Sequence, residues 1–367
     1  MDELLKLRNE LDEVDAALIA AVAKRQAIVA EIGRIKHAAG KQLRDFQRER
    51  EVLAHVRRRA EAVGLKGDLA EAVLKMLIEA SLTTQEQDRL KLDAHGDGRR
   101  ALVFGGNGLM GQWFVRFLSA QGFGVQVVDP SGAPEGFSAI ANWHDSARAA
   151  DLIVLATPMR QTTAVLDELV WLQPQALIFD IASIKAPLAS ALTRAAASGL
   201  KLCSLHPMFG PSTVLLSDRH VVYIDLGHAG AVEQARALFA PTMASSVQST
   251  LEEHDQLIAW VLGLSHALNI AFFDALAHSG IAAQRLAQIS STTFERQLAV
   301  ACNVADEDAA LYHDIQHLNP LRTEVLTGLS SAVLRVAEAG ATPERAAFTA
   351  MFERGRAYLG ASKPTRS

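Results

Sequence analysis

The sequence predicts a multidomain chain: an all-α N-terminal segment, then a doubly wound α/β nucleotide-binding domain, then a second all-α domain. Three observations carry this. Residues 1–92 lack proline and repeat apolar residues at helical intervals, and the first proline of the chain is Pro130. Between residues 99 and 250, short apolar runs alternate with helix-like stretches, as in a mostly parallel sheet. Residues 251–361 are rich in Ala and Leu and return to helical periodicity. The 367 residues suffice for two or three domains, and 49% hydrophobic residues suffice for large cores.

Composition excludes several classes. The sequence shows no 18-residue apolar run and no basic-then-apolar leader, so a soluble, cytoplasmic chain without a membrane partner is expected. Cys203 and Cys302 are too few and too separate for a disulfide framework or a metal site. The net charge of −5 is uneven: residues 24–66 hold about 12 basic and 5 acidic side chains. Something anionic is therefore expected near the N-terminus.

Leu4, Leu7, Leu11, Val14, Leu18, Val22, Val29 and Ile32 recur at intervals of three, four or seven. They predict one helix over residues 2–38, roughly 55 Å long and closed by Gly40. That length exceeds the core of a 90-residue globule and calls for a coiled or intertwined partner. Further helices are expected from Asp45 to Val63 and from Asp68 to Lys91. Arg25 and Lys36, eleven residues apart, share a helix face about 16 Å apart along the axis and could converge on one small anion. Arg8 is about 26 Å from Arg25, so it reaches the same ligand only from an antiparallel second chain. Ser81 and Gln85 stand at i,i+4 and face the same way. A solvated basic coiled coil is the plain alternative. A nucleic-acid arm fits less well, since acids are interleaved and aromatic stacking partners are lacking.

The run Leu7-Arg8-Asn-Glu-Leu-Asp12, Lys24-Arg25, Lys36, Asp45-Phe-Gln-Arg48-Glu49-Arg50 and Ser81-x-x-x-Gln85 resembles the all-helical chorismate mutases. The resemblance covers residues 1–92 and implies an intertwined homodimer with two shared sites. It implies that Arg8 from the partner, Arg25 and Arg48 hold the substrate carboxylates, and that Lys36 and Gln85 donate to the ether oxygen of chorismate. Glu49 would accept from its hydroxyl, and Asp45 and Ser81 would complete the site. A Claisen rearrangement needs fixed charges around a compact conformer rather than a nucleophile or base.

The polar segment Asp93–Gly98 is read as the linker. Ala101–Phe104 then reads as a buried strand, and Gly106, Gly108 and Gly111 follow at G-x-G-x-x-G spacing. Gln112–Gln121 reads as a helix, and Val125–Val128 as a strand ending in Asp129. This is a dinucleotide-binding unit. Gly106 is expected to make the tight turn, Gly108 to admit the pyrophosphate and Gly111 to let the helix pack on the strand. Asn107, Leu109 and Met110 fill out the cofactor turn, whose helix N-terminus suits a phosphate. Asp129 would accept from the ribose hydroxyls and repel a 2′-phosphate, which selects NAD. Strands at Asp151–Ala156, Ala176–Ile181, Leu202–Leu205 and, last, Val221–Asp225 place Thr157 and Pro158, Ser183 and His206 at carboxyl ends, where ligands gather. His206 sits before Pro207 and Pro211, which would stiffen its loop, whereas His220, His228 and His254 lack such a setting. Cys203 reads as a core residue.

Gly105–Gly111, Asp180-Ile-Ala-Ser-Ile-Lys185 and His206-Pro-Met-Phe-Gly-Pro211 resemble the prephenate dehydrogenases. With the mutase-like segment ahead, the chain as a whole resembles the bifunctional chorismate mutase/prephenate dehydrogenases of tyrosine biosynthesis. The resemblance implies that residues 99–361 form the dehydrogenase, with 99–250 binding NAD and 251–361 dimerising. It implies that His206 draws the proton from the ring hydroxyl of prephenate, with Ser183 sharing the contact. Hydride and CO2 then leave, yielding 4-hydroxyphenylpyruvate. A base must be neutral, so activity should fall at low pH. Tyrosine feedback is a further implication.

From Glu252 onward, a long apolar helical region containing His266 is expected. Helices Ile281–Ala301, Asp306–Asn319, Pro320–Glu338 and Thr342–Leu359 follow, with Ser362–Ser367 fraying. One departure stands out: the family's substrate arginines after Ser290-Ser291 align with Glu295 and Asn303. Arg296 after a local shift, Arg322 or a residue of the other subunit would then take the carboxylate, and an arogenate or dual-substrate dehydrogenase becomes the alternative. A non-catalytic dinucleotide sensor is the rival of a different class, but it would need neither the N-terminal cation set nor His206.

Overall fold

The computed structural model describes residues 2–361 except Gln42 and His95; Ser362–Ser367, expected to fray, lie outside the described residues. The chain divides into two compact units, 1–182 with 190–249, and 183–189 with 250–367.

The first unit begins with α1 (Asp2–Ala38), α2 (Phe46–Ala62) and α3 (Gly67–Leu92). Helix α1 closes where Gly40 turns left-handed at φ 64° and the Lys41 N–H reaches back to the Lys36 carbonyl. Helix α2 starts because the Asp45 side chain accepts from the Arg48 N–H. Leu4, Leu7, Leu11, Val14 and Leu18 remain exposed along α1. The expected face of α3 is realised: the Ser81 hydroxyl donates to Gln26 and Gln85 Nε2 donates to the Val29 carbonyl, both on α1.

The sheet follows: β1 (Arg100–Phe104), α4 (Leu109–Ala120), β2 (Gly124–Val128), β3 (Ser138–Ala139), α5 (His144–Arg148), β4 (Leu152–Leu155), α6 (Met159–Leu172), β5 (Leu177–Asp180), α7 (Ala189–Ala197), β6 (Leu202–Pro207), β7 (His220–Asp225), α8 (Ala231–Phe239) and β8 (Ser245–Ser249). The strand order is β3-β2-β1-β4-β5-β6-β7-β8, parallel throughout except between β6 and β7. The reversal of direction from β1 is the doubly wound pattern that the alternation predicted. Helix α4 starts at Leu109, three residues earlier than expected, because Gly108 serves as its N-cap. Val221–Asp225 is not the last strand. Ser-Ser-Val-Gln-Ser adds β8 at the sheet edge, where one apolar residue in five leaves too weak a pattern to read. Trp113, Phe114, Phe117, Phe209 and Phe239 cluster on one face, with Trp113 stacked on Phe117 at 4.8 Å. Cys203 is buried in this core, as expected.

Helix α3 is fastened to this sheet by a residue that no sequence motif marks. Glu86 is 1% exposed, and its carboxylate accepts from the Leu216 N–H at 2.8 Å and the Met243 N–H at 2.7 Å. Burial pushes its carboxyl above the usual range, against the pull of the two N–H groups.

The second unit holds α9 (Leu251–Ile258), a π-helical turn at Ala259–Leu264, α10 (Ser265–His278), α11 (Ala283–Gln288), α12 (Thr292–Ala305), α13 (Ala309–Leu318), α14 (Arg322–Gly340) and α15 (Ala346–Ala361). The expected single helix Ile281–Ala301 is two, because the Ser291 hydroxyl accepts from the Phe294 N–H and starts α12 afresh. Leu251–His278 contains an 18-residue window of mean hydropathy 1.5, long and apolar enough by composition alone to span a bilayer. Polar residues such as Ser265, His266 and Asn269 interrupt that stretch, so the expectation of no unbroken 18-residue apolar run stands.

Removing the Glu86 carboxylate should orphan a buried and a part-buried N–H group. Glu86→Ala should therefore cost about 2–5 kcal/mol, read as a lowered midpoint in urea or thermal unfolding. An unchanged midpoint would mean that the two loops stay bound by other contacts.

Candidate active sites

The helical segment brings some of the predicted residues together. Arg25 Nη1 donates to the Leu77 carbonyl and to Ser81 Oγ, both at 2.9 Å. Burial pulls the Arg25 guanidinium below its usual value. Lys36 Nζ donates to the Leu43 carbonyl at 2.9 Å. Arg25 and Lys36 thus share no acceptor among the described residues, contrary to simple convergence. Both keep donors: an ammonium has three N–H groups and a guanidinium five. Glu49 is held by Arg44, with Arg44 Nε 3.0 Å from Oε1. Arg48 is exposed and reaches Glu51 at 3.4 Å. Asp45 is engaged in capping α2. Arg8 is exposed on α1, in its N-terminal half and far from Arg25.

The glycine turn has a specific geometry. The positive φ, 71°, belongs to Gly105 rather than to Gly106. Gly105 therefore makes the tight turn, since an L side chain rarely adopts that backbone. Gly106 is needed for a different reason: a Cβ there would lie 2.8 Å from Val127. A Cβ on Gly111 would lie 2.0 Å from the Gly105 carbonyl oxygen, so the glycine admits close packing of the helix on the turn, where packing on the strand was expected. Above Gly108 only that same oxygen comes near among the described residues, at 3.3 Å. The first-turn N–H groups of Leu109, Met110 and Gly111 lack intrahelical acceptors and face an open approach, a cradle for a pyrophosphate.

Asp129 ends β2 beside this turn. Its Oδ2 accepts from the Asn107 N–H at 3.1 Å, and its Oδ1 accepts from the N–H and hydroxyl of Ser131 at 2.9 and 2.6 Å. Partial burial raises the Asp129 carboxyl, but these three hydrogen bonds outweigh it and hold the group below the usual range. Asn107 Nδ2 also donates to Ser131. Thr157 caps the turn after β4 with a 2.9 Å contact to Thr162, and Pro158 precedes α6. These residues fit a dinucleotide whose ribose hydroxyls meet a carboxylate.

His206 lies in β6 opposite Val222, one residue before the strand ends, and is 4% exposed. Pro207 belongs to the strand rather than to a loop. The stretch beyond it is held instead by Trp113 Nε1 on the Thr213 carbonyl at 2.9 Å and by Glu86 on Leu216.

In the second unit, Ser183 is half-buried at the head of a segment pinned by Asp255. The Asp255 carboxylate accepts from the N–H groups of Lys185 and Ala186 at 2.8 and 2.6 Å and pairs with His254 Nδ1 at 2.8 Å. Asn319 Nδ2 donates to the Asp255 carbonyl at 2.9 Å. His254, which lacks a functional setting in the sequence, is thus 2% exposed and part of this anchor. Its signal was the acid beside it at a helix start. Arg296 is exposed on α12, while its neighbour Gln297 turns inward to Asn269 at 2.8 Å. Asn303 is also exposed. His266 stacks on Tyr312 at 4.1 Å, and burial lowers its pKa.

A chorismate mutase type II model matches residues 7–86. The prephenate dehydrogenase nucleotide-binding and dimerization domain models match 135–248 and 250–339. A T-protein of Enterobacter agglomerans is 30% identical over 314 residues, 85% of this chain and 81% of that protein. Among solved structures, the prephenate dehydrogenase of A. aeolicus with hydroxyphenyl propionate and NAD+ is 18% identical, with a TM-score of 0.57 over 71% of this chain and 98% of that one. Synechocystis arogenate dehydrogenase is 16% identical, with a TM-score of 0.55 over 72% and 99%. At those identities the structures establish the fold.

Fold and domains together define a helical mutase fused ahead of a nicotinamide-dependent dehydrogenase. The chain belongs to the T-protein family, the bifunctional chorismate mutase/prephenate dehydrogenases of tyrosine biosynthesis. NAD is the cofactor.

A carboxylate at Asp129 would repel a 2′-phosphate and so is expected to favour NAD over NADP. Asp129→Ser should narrow the gap in kcat/KM between NAD and NADP, measured at saturating prephenate. A wild-type chain that already prefers NADP would contradict this role.

Proposed function

We propose that residues 1–92 of two copies form shared mutase sites and that residues 99–361 carry the dehydrogenase, with His206 as its base. On the mutase side the carrying observation is α1: its N-terminal half bears an uncovered apolar stripe and Arg8, while Arg25 sits where α3 packs and Lys36 reaches the Leu43 carbonyl beyond the helix end. An antiparallel partner helix would cover the stripe and bring Arg8 of the partner subunit to Arg25. Arg8, Arg25 and Arg48 then bind the two carboxylates. Lys36 and Gln85 donate to the ether oxygen as it gains negative charge, Glu49 accepts from the hydroxyl, and Ser81 and Asp45 hold Arg25 and the start of α2. The resulting homodimer is a cytoplasmic enzyme, with tyrosine as its feedback inhibitor.

Arg8→Ala and Lys36→Ala should each be nearly inactive as mutases, yet a mixture should regain activity, because each heterodimer holds one intact site. Subunit exchange without recovery, once heterodimers are shown to form, rules out sites built from two chains.

For the dehydrogenase, the position of His206 at the carboxyl end of β6, in the same sheet as the Gly105–Gly111 turn, supports its role. Its imidazole takes the ring hydroxyl's proton, and Ser183 shares that contact. NAD, when bound, accepts the hydride, and the ring carboxylate leaves as CO2. His206→Asn should lower dehydrogenase kcat by about 10²–10⁴-fold while sparing NAD affinity and mutase activity. Wild-type turnover would remove His206 from the mechanism, and equal loss of both activities would signal a damaged fold. Arg296 is the proposed carboxylate partner. The exposed Asn303 at a family arginine position favours a second reading, a dehydrogenase for arogenate or for both substrates. The ratio of kcat/KM for prephenate and arogenate decides between them.

A further inference from the structure

Arg44 stands in the turn between α1 and α2, two residues ahead of α2. Its guanidinium lies over the Phe46 ring, 4.3 Å from the centroid. One edge forks onto Glu49, with Nε 3.0 and 3.2 Å from the two carboxylate oxygens and Nη2 3.1 Å from Oε2. The opposite corner, Nη1, donates to Ser217 Oγ and Asp218 Oδ2, both at 2.5 Å. Ser217 and Asp218 end the stretch that follows His206 and leads into β7. The Arg44 and Glu49 side chains are 21% and 20% exposed, so solvent screens this pair only in part. Arg44, Glu49, Ser217 and Asp218 line a cleft of about 810 Å³, together with Leu53, Ile78 and Leu82 of the mutase helices.

We infer that Arg44 is a positioning residue for the mutase reaction: it aims Glu49 at the substrate hydroxyl and is itself held by Ser217 and Asp218 of the dehydrogenase. Mutase turnover therefore depends on a dehydrogenase loop. The inference rests on the reading of Glu49 as the acceptor for that hydroxyl.

The geometry has three consequences. The fork places one N–H on Oε1 and two on Oε2, which leaves a lone pair of Oε1 for the substrate. A planar guanidinium on an aromatic face has its orientation fixed, and lysine cannot reproduce the fork. The loop end is fixed independently, since Glu86 binds the Leu216 N–H immediately before Ser217 and Asp218. The line from β7 through Asp218 and Arg44 to Glu49 is thus tethered at its dehydrogenase end, so displacing Asp218 displaces Glu49.

The test measures chorismate consumption and NADH formation by the full chain in Arg44→Met, Arg44→Lys, Asp218→Asn, the Arg44→Met/Asp218→Asn double variant and Glu49→Gln. Asn suits the Asp218 position, because that residue has φ 61° and Asn tolerates the left-handed region. Arg44→Met should lower mutase kcat about 10- to 100-fold, as loss of a charge-assisted fork does, with a smaller change in KM. Arg44→Lys should recover part of this. Asp218→Asn should lower mutase kcat several-fold, and the double variant should be no slower than Arg44→Met alone. Unchanged NAD affinity and unfolding midpoints would exclude general damage. Wild-type mutase turnover in Asp218→Asn, or effects that multiply in the double variant, would overturn the inference. If Glu49→Gln is inactive while Arg44→Met is normal, the inference alone fails. If Glu49→Gln itself turns over normally, the reading of Glu49 fails and the inference with it.

Discussion

The Glu86 carboxylate holds two loops of the nucleotide-binding domain against a mutase helix, and much of the first unit depends on it. A buried carboxylate is costly unless its oxygens are satisfied. Here the partners are backbone N–H groups of Leu216 and Met243, which precede β7 and β8. Backbone donors cannot rotate away as side chains can, so the carboxylate fixes the path of the chain itself. Successive helix residues point about 100° apart. Gln85 accordingly faces α1 while Glu86 faces the sheet, and α3 serves both halves at once.

The same device recurs. Asp255 pins the Ser183 segment through the N–H groups of Lys185 and Ala186, and Asp129 gathers the N–H groups of Asn107 and Ser131 around the cofactor turn. In each case an acid aims a loop rather than pairing with a cation. Arg44 is the exception, because it lies between two acids, Glu49 and Asp218, that would repel each other without it. A neutral donor could bridge them, but a forked cation both bridges them and offsets their repulsion.

Sequence periodicity resolved α1, α2 and α3 because apolar residues recur along them at helical intervals, and β1, β4, β5 and β6 because each is a run of buried apolar residues. It failed where burial is slight: β8 carries a single apolar residue, and the break before α12 depends on the Ser291 hydroxyl rather than on any change in hydropathy. The glycine motif was legible as a turn, but spacing could not tell that Gly105 takes the left-handed backbone and Gly106 yields to Val127. Candidate site residues with a charge and a family spacing were visible. Glu86 and Asp255 were not singled out because their partners are backbone groups 69 to 157 residues away, and Arg44 because Ser217 and Asp218 lie 173 and 174 residues off. No local pattern encodes such a partner.

The length of α1 follows from the same division of labour. Its C-terminal half is covered by α3, through Gln26, Val29 and Arg25, whereas Leu4, Leu7, Leu11, Val14 and Leu18 have no cover among the described residues. Burying a leucine contributes about 1.5–3 kcal/mol, so five such residues on a bare helix amount to a large unrealised stabilisation. In the proposed dimer that stabilisation is realised by the partner's α1, and the 17-residue spacing of Arg8 from Arg25 then places one cation in each site from each chain. Mutase catalysis in this arrangement requires association. In the inferred arrangement, a helical segment cut free of the sheet would keep Arg44 but lose Ser217 and Asp218, which hold it.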